Sequence, residues 1–363
     1  LVIVLVGFYS ASFYLSIIPD APLIELLIVG LTNGLVLLVS ILIHELSHSI
    51  IAQKYGLKVE EIELYLFGGV SKIGEEPKTP KSEMIISVVG PLSSLFIGIG
   101  LLLINFLPIH IHPILWVTLF YSGISNIGLG IFNLIPAFPI DGGRILRAYL
   151  WKRRNNLLSA TKSASKVGVF VGYGLIAYGF FQMFTTGILN GLWLILMGNF
   201  LTSAARNSYS QTRNEVILSK INVKDMLNIP NLAIPYHTTI DIALRDYFFP
   251  YKKSYFPVNL GFDIVGIAHI QDIKKIKNWQ KSEIIIGKIM KKISDFPSID
   301  ENQSGKVALK KLNDISEGPI LLVVNESESN KFVGFLGKND LISSLKFWSS
   351  HMPNIDSEVK IQF

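Results

Sequence analysis

Charged residues are almost excluded from long stretches of the first 205 or so positions, and no other feature constrains the fold as strongly. A segment of about 18 or more uncharged, mostly apolar residues is long enough to cross the hydrocarbon core of a bilayer as a helix. About six such runs occur, at 1–18, 26–43, 84–107, 114–135, 167–184 and 187–204. Over all 363 residues, 50% are hydrophobic and 17% charged, with a mean hydropathy of +0.44, which is too apolar for a soluble chain of this length. Nearly all regular charge alternation comes after the last run. The expected fold is therefore a multi-pass α-helical membrane protein of about six transmembrane helices followed by a soluble module. The first run opens the chain without a Met, a basic segment or a cleavage site; it reads as a span rather than a signal peptide, and the native N-terminus stays open.

Basic residues orient these spans. Connections after the second, fourth and sixth runs carry Lys54, Lys58, Lys72, Lys78 and Lys81, then Arg144, Arg147, Lys152, Arg153 and Arg154, then Arg206 and Arg213. The opposite connections carry no Lys or Arg. By the positive-inside rule the basic side, and with it the C-terminal half, faces the cytoplasm of a cell-membrane protein. The same clustering explains the formal charge of +6 without nucleic acid, which is not expected as a partner. No cysteine occurs, so disulfides, thiolate metal sites and cysteine nucleophiles are excluded, and any metal must be held by His, Asp or Glu.

At the cytoplasmic end of the second run stands His44-Glu45-Leu46-Ser47-His48. Ionisable groups beside a membrane run need a reason. Positions i and i+4 share one face of a helix, so both imidazoles can reach one Zn²⁺, and the Glu between them lies near enough to address a metal-bound water. Two ligands leave zinc short of its usual catalytic complement of three plus water. Of the remaining histidines, His110 and His112 sit on the outer side, and His237, His269 and His351 in the soluble half. Asp141 is different. It closes the segment Asn133-Leu134-Ile135-Pro136-Ala137-Phe138-Pro139-Ile140-Asp141-Gly142-Gly143-Arg144, which ends the fourth run on the same side as His48. Each proline or glycine there would alone mark an ordinary helix stop and turn. In lipid, however, a backbone broken by two prolines is tolerated only where protein buries it or a watery cavity lines it, and hydrolysis within a membrane needs such a cavity.

The pairing of these two segments resembles the site-2 protease family of intramembrane zinc metalloproteases, over about residues 26–204. The resemblance implies His44, His48 and Asp141 as ligands of one Zn²⁺, Glu45 as general base, and Asn133 as a polar contact to the substrate carbonyl or oxyanion. Leu66-Phe67-Gly68-Gly69 resembles the family's extended segment beside the active site, and Gly90-Pro91 its helix-three Gly-Pro, whereas Ser94 stands where many members have Asn. The implied partners are the lipid bilayer and a membrane protein substrate with a transmembrane helix. Such a helix must unwind before an amide can be attacked, and residues 63–70 can offset part of that cost by pairing with it as an added strand.

After Arg213 the chain repeats itself with a period of about 65 residues. Val223-Lys224-Asp225-Met226, Pro257-Val258 and a segment ending in Asp272 return in order as Gly287-Lys288-Ile289-Met290, Pro319-Ile320 and a segment ending in Asp340. The repeat resembles paired cystathionine-beta-synthase (CBS) domains, an α/β module whose two copies commonly pack into one unit that can bind adenine nucleotides. The resemblance implies Asp272 and Asp340 beside the ribose. At the accompanying hydroxyl positions this chain has His269 and Gly337, so a structural role, or a homodimer through the CBS domains, competes with nucleotide binding. The expected organisation is a transmembrane metalloprotease domain at 1–206, a linker at 207–218, CBS domains at 219–281 and 282–350, and a tail at 351–363. The alternative function is a CBS-regulated membrane transporter or channel with His44, Glu45 and His48 lining an ion path, which would be expected to show paired broken helices in two repeated halves. No such repeat is seen.

Overall fold

The computed structural model describes residues 2–65, 68–73, 77–105, 107, 112–185, 187–227, 232–315, 319–328 and 331–351. The chain divides into two compact units, Leu1–Thr212 and Arg213–Ile355.

The first unit is helical. Its elements are α1 (Val2–Ile17), α2 (Leu23–Lys54), a hairpin of β1 (Val59–Tyr65) and β2 (Gly68–Ile73), α3 (Pro80–Asn105), α4 (Pro113–Leu134), α5 (Asp141–Arg154), α6 (Leu157–Thr185) and α7 (Ile188–Lys220), the last running past the boundary. Each apolar run lies on a helix: α1, α2, α3, α4, α6 and α7 in turn. Among the described residues α2, α3, α4 and α6 are long and apolar enough to cross a membrane, and α1 is a shorter apolar helix.

Helix α2 sets the plan. Val29, Asn33, Leu37, Ser40, His44 and His48 are buried along it at steps of three or four, which is one stripe of a helix. Leu27, Leu31, Leu35, Leu42, Leu46 and Ile50 are exposed on its other faces. The inner stripe is thus the more polar one, as expected where lipid is as apolar as leucine and only polar or small side chains favour the interior. Asn33 accepts a 2.8 Å hydrogen bond from the Ser122 hydroxyl of α4, and α1, α3 and α4 all pack against α2.

Two breaks position the site. Helix α2 stops at a left-handed Gly56 (φ +75°), and the antiparallel hairpin follows beside it, pairing Val59 with Ile73 and Tyr65 with Gly68. Helix α4 stops at Leu134, and the chain resumes as α5 at Asp141. Helix α5 has no counterpart among the expected spans. It is amphipathic, buries Gly143, Arg147, Ala148 and Trp151 on one face, and ends in Lys152, Arg153, Arg154 and a left-handed Asn155.

In the second unit a turn at Val223–Met226 leads to β3 (Ile234–Pro235), α8 (Ile240–Ala243) and, through one π turn, α9 (Phe249–Tyr251). Then come β4 (Tyr255–Leu260), β5 (Asp263–His269) and α10 (Ile270–Lys274). The second copy has β6 (Lys291–Lys292), β7 (Ser298–Asp300), α11 (Gly305–Asn313), β8 (Ile320–Asn325), β9 (Lys331–Gly337) and α12 (Lys338–His351). In both copies a short strand runs parallel to the first strand of an antiparallel hairpin, β3 beside β4–β5 and β7 beside β8–β9. The copies exchange their opening segments. Val223 N–H donates to Gln303 and Lys224 N–H to Glu301, while Ile286 N–H donates to Thr238, Gly287 N–H to Tyr236, and β6 pairs with β5. Ile234, Ile240, Phe248, Phe256, Val258 and Ile286 form one core, and Ile267 of the first hairpin packs with Ile320 and Phe335 of the second.

Candidate metal centre

The inner stripe of α2 ends in the two imidazoles, whose rings lie 4.9 Å apart, and the α4–α5 break delivers Asp141 to them. His44 Nε2 is 3.1 Å and His48 Nε2 3.2 Å from the same atom, Asp141 Oδ2. These three residues form a potential cation-binding group whose ligand atoms all lie within 4.8 Å of one another. Donors about 2.0–2.1 Å from a tetrahedral ion stand roughly 3.3 Å from each other, so the spacing fits zinc.

Each imidazole is held from behind. The Ile86 carbonyl of α3 lies 2.7 Å from His48 Nδ1. Because a carbonyl only accepts, Nδ1 carries the proton of neutral His48 and leaves the Nε2 lone pair facing Asp141. His44 Nδ1 is 2.8 Å from the Ser94 hydroxyl, so the serine standing where asparagine was expected does supply the supporting contact. Gly90 forms the floor: a Cβ there would run into Nε2 of both histidines.

The break itself is built by its prolines and glycines. Pro136 and Pro139 cannot donate helical hydrogen bonds, the Phe138–Pro139 peptide is cis, and Ala137 and Phe138 are buried. A Cβ on Gly142 would strike the Leu134 and Ile135 carbonyls, and one on Gly143 the backbone of Phe138. Those two glycines let the first turn of α5 fold against the loop and set Asp141 at its helix N-terminus.

Glu45 is half-buried and follows His44 on the same helix. Asn133 lies in the last turn of α4 and donates a 2.9 Å bond to Leu129 O; among the described residues it makes no hydrogen bond to His44, His48 or Asp141. Gly68 and Gly69 begin β2, whereas Leu66 and Phe67 fall outside the described residues. His112 caps α4, His269 caps α10, His351 stacks on Phe347, and His237 meets the edge of Tyr236; His110 is outside the described residues. A further pair went unread in the sequence: Arg147 of α5 and Glu83 of α3 form a buried ion pair (Nε to Oε1 2.6 Å), with the guanidinium 4.8 Å over the Phe138 ring. The available signal was a glutamate one residue ahead of an apolar run, with an arginine six residues past Asp141.

The two CBS carboxylates differ. Asp272 accepts a 3.0 Å bond from Lys275 and lines a cleft with His269, Gln271, Lys291 and Phe296. Asp340 is already engaged, by the Gly337 N–H at 3.1 Å and by the Tyr255 hydroxyl of the first copy. The Tyr255 ring lies where a side chain at Gly337 would be, which explains the glycine. Burial first, and the Asp340 charge second, push the Tyr255 phenol well above its ordinary range.

Two imidazoles from one apolar helix, each held from behind, and a carboxylate that follows the break after α4 form the donor set a metallopeptidase in a membrane would need. The profile described as Peptidase family M50 matches residues 33–112 and 108–178. The chain is 33% identical over 287 residues to Zinc metalloprotease MJ0392 of Methanocaldococcus jannaschii, covering 75% of this chain and 80% of that protein. Among solved structures it is similar to a Site-2 Protease from Methanocaldococcus jannaschii, at 35% identity over 56% of this chain and 87% of that one (TM-score 0.40). It is also similar to the CBS domain of a bacterial CNNM/CorC family Mg²⁺ transporter, at 20% identity over 42% and 93% (TM-score 0.32). The chain belongs to peptidase family M50 and is a membrane zinc metalloprotease of the site-2 type.

Proposed function

We propose that this protease cuts transmembrane segments of membrane proteins near the cytoplasmic face, with His44, His48 and Asp141 holding one zinc ion. The observation that carries the reading is the convergence of His44 Nε2, His48 Nε2 and Asp141 Oδ2, with three protein donors leaving a fourth position for chemistry. Bound zinc supplies Lewis acidity, which brings the pKa of water from 15.7 towards about 7 and polarises a carbonyl. Glu45 takes the proton of the attacking water and returns it to the leaving amine. Asn133 turns its amide from Leu129 to the substrate carbonyl oxygen. The hairpin, with Gly68 and Gly69, receives the unwound substrate as an added strand.

The basic connections keep this end of the bundle and the CBS pair in the cytoplasm. The pair acts as a regulatory or dimerising module. Its nucleotide site, if used, is the Asp272 cleft, because Asp340 is engaged by Tyr255. Titration of ATP, AMP and S-adenosylmethionine against the protein tests this, and no binding by any of them removes the nucleotide role.

The decisive experiment is Glu45→Gln expressed in the native host. Zinc content should match wild type while membrane-bound substrates accumulate uncut, with a rate loss of about 10²–10⁴-fold. Undiminished fragments from a zinc-loaded variant would remove Glu45 as the base.

A further inference from the structure

Helix α3 touches the metal centre at the Ile86 carbonyl as well as at Gly90 and Ser94, and touches α5 through a buried charge, at Glu83. Ile86 and Glu83 are one turn apart and so lie on one side of the helix. Glu83 and Arg147 are 1% and 4% exposed, a degree of burial that charged residues reach only when paired. Arg147 bridges two things: its guanidinium reaches the Glu83 carboxylate while its face covers Phe138, in the loop that leads into Asp141. The contacts close a ring through three helices. From Asp141 the ring passes to His48 on α2, from His48 to the Ile86 carbonyl on α3, one turn back to Glu83, and through Arg147 and Phe138 to Asp141 again.

We infer that the Glu83–Arg147 pair is a positioning clamp for the metal centre, fixing the start of α5 against α3 so that Asp141 meets the two imidazoles. This rests on the metal reading above. The glycines and prolines of the break do not by themselves set where Asp141 stands. Gly142 and Gly143 allow close approach to the loop but hold nothing, and the prolines break the helix without aiming it. A site must be held to within about 0.5 Å of its working geometry by the groups around it, and a planar guanidinium fixes direction as well as distance.

The test uses the full-length protein and four variants: Arg147→Met, Arg147→Lys, Glu83→Gln and the double variant Glu83→Gln with Arg147→Met. Zinc dissociation constants, the visible spectrum of the Co²⁺-substituted protein, and kcat and KM at saturating zinc are read. Arg147→Met and Glu83→Gln should each weaken zinc about 10–100-fold, alter the Co²⁺ spectrum and lower kcat more than KM. The double variant should be no worse than the worse single one, because both cut the same link. Arg147→Lys should recover stability without recovering the spectrum. If Arg147→Met does not fold, Glu83→Gln, which keeps the side chain's shape but removes the charge that holds the guanidinium, decides alone. Folded variants with wild-type zinc affinity and Co²⁺ spectrum would reduce the pair to a structural one and overturn the clamp. His44→Ala separates the two ideas: zinc binding unchanged in that variant would bring down the metal reading, and the clamp with it, whatever Glu83→Gln does.

Discussion

The two units bury different mixtures of side chain: both enclose apolar residues, but nearly all the buried polar ones among the described residues belong to the first. In the first, Asn33, Ser40, His44, His48, Ser94, Ser122 and Asn126 are inside and leucines and phenylalanines such as Leu31, Phe96 and Phe170 are outside. In the second, Phe256, Ile234, Val258 and Ile267 are inside. Water expels apolar surface and so organises the second unit, whereas lipid does not, and the first is organised by close packing and by the few polar groups that must find one another. The difference assigns separate meanings to a substitution. A buried apolar residue of the second unit carries stability; a buried polar residue of the first joins helices, as Asn33 and Ser122 do, or builds the candidate site, as His44, His48 and Ser94 do.

The sharpest way to break this contrast is Phe256→Ala. Its loss from the core should cost the second unit about 3–5 kcal/mol in unfolding of the full chain, as followed by pulse proteolysis, with bound zinc unchanged. Phe96→Ala, on a ring 82% exposed, should by contrast leave stability within about 0.5 kcal/mol. Next in size is Gly90→Ala, which adds one methyl group against both imidazoles and should lower cleavage about 10²-fold with little change in the unfolding of the second unit. Equal activity in that variant would show that the imidazoles are not confined by α3. Ser94→Ala removes the contact to His44 Nδ1 and should weaken zinc about tenfold in a chelator competition.

A pH-dependent effect belongs to Tyr255. Its folded phenol keeps its proton above pH 10, where the unfolded one loses it, so its contribution to stability is complete below about pH 10 and declines as pH rises beyond that. Tyr255→Phe should remove this alkaline decline and cost about 1.5–3 kcal/mol at neutral pH through the lost bond to Asp340. A wild-type and variant pair with parallel pH profiles would deny the burial of that hydroxyl.

Legibility followed the same divide. The apolar runs marked the helices because a span must be long and uncharged, and the spacing of His44, His48 and the Pro136-to-Gly143 break marked the site because few chains carry such groups at a membrane edge. Helix α5 escaped because an amphipathic helix of 14 residues looks like a basic connection when read for spans. The Ile86 carbonyl escaped because a backbone acceptor has no sequence signature, and Glu83 and Arg147 because they lie 64 positions apart. In the second unit the repeat was visible, but Tyr255 meeting Asp340 was not, since the departure at Gly337 makes sense only once the ring is seen against it.

The crossed pairing of the CBS copies carries a consequence for how this half of the molecule can be divided. Residues 221–226 are stitched to the later copy and residues 284–292 to the earlier one. A chain severed near position 281 would yield two fragments, each with a bare strand edge and each holding the strip that belongs to the other. Evolution and the experimenter face the same restriction: the doublet must be gained, lost or transplanted whole.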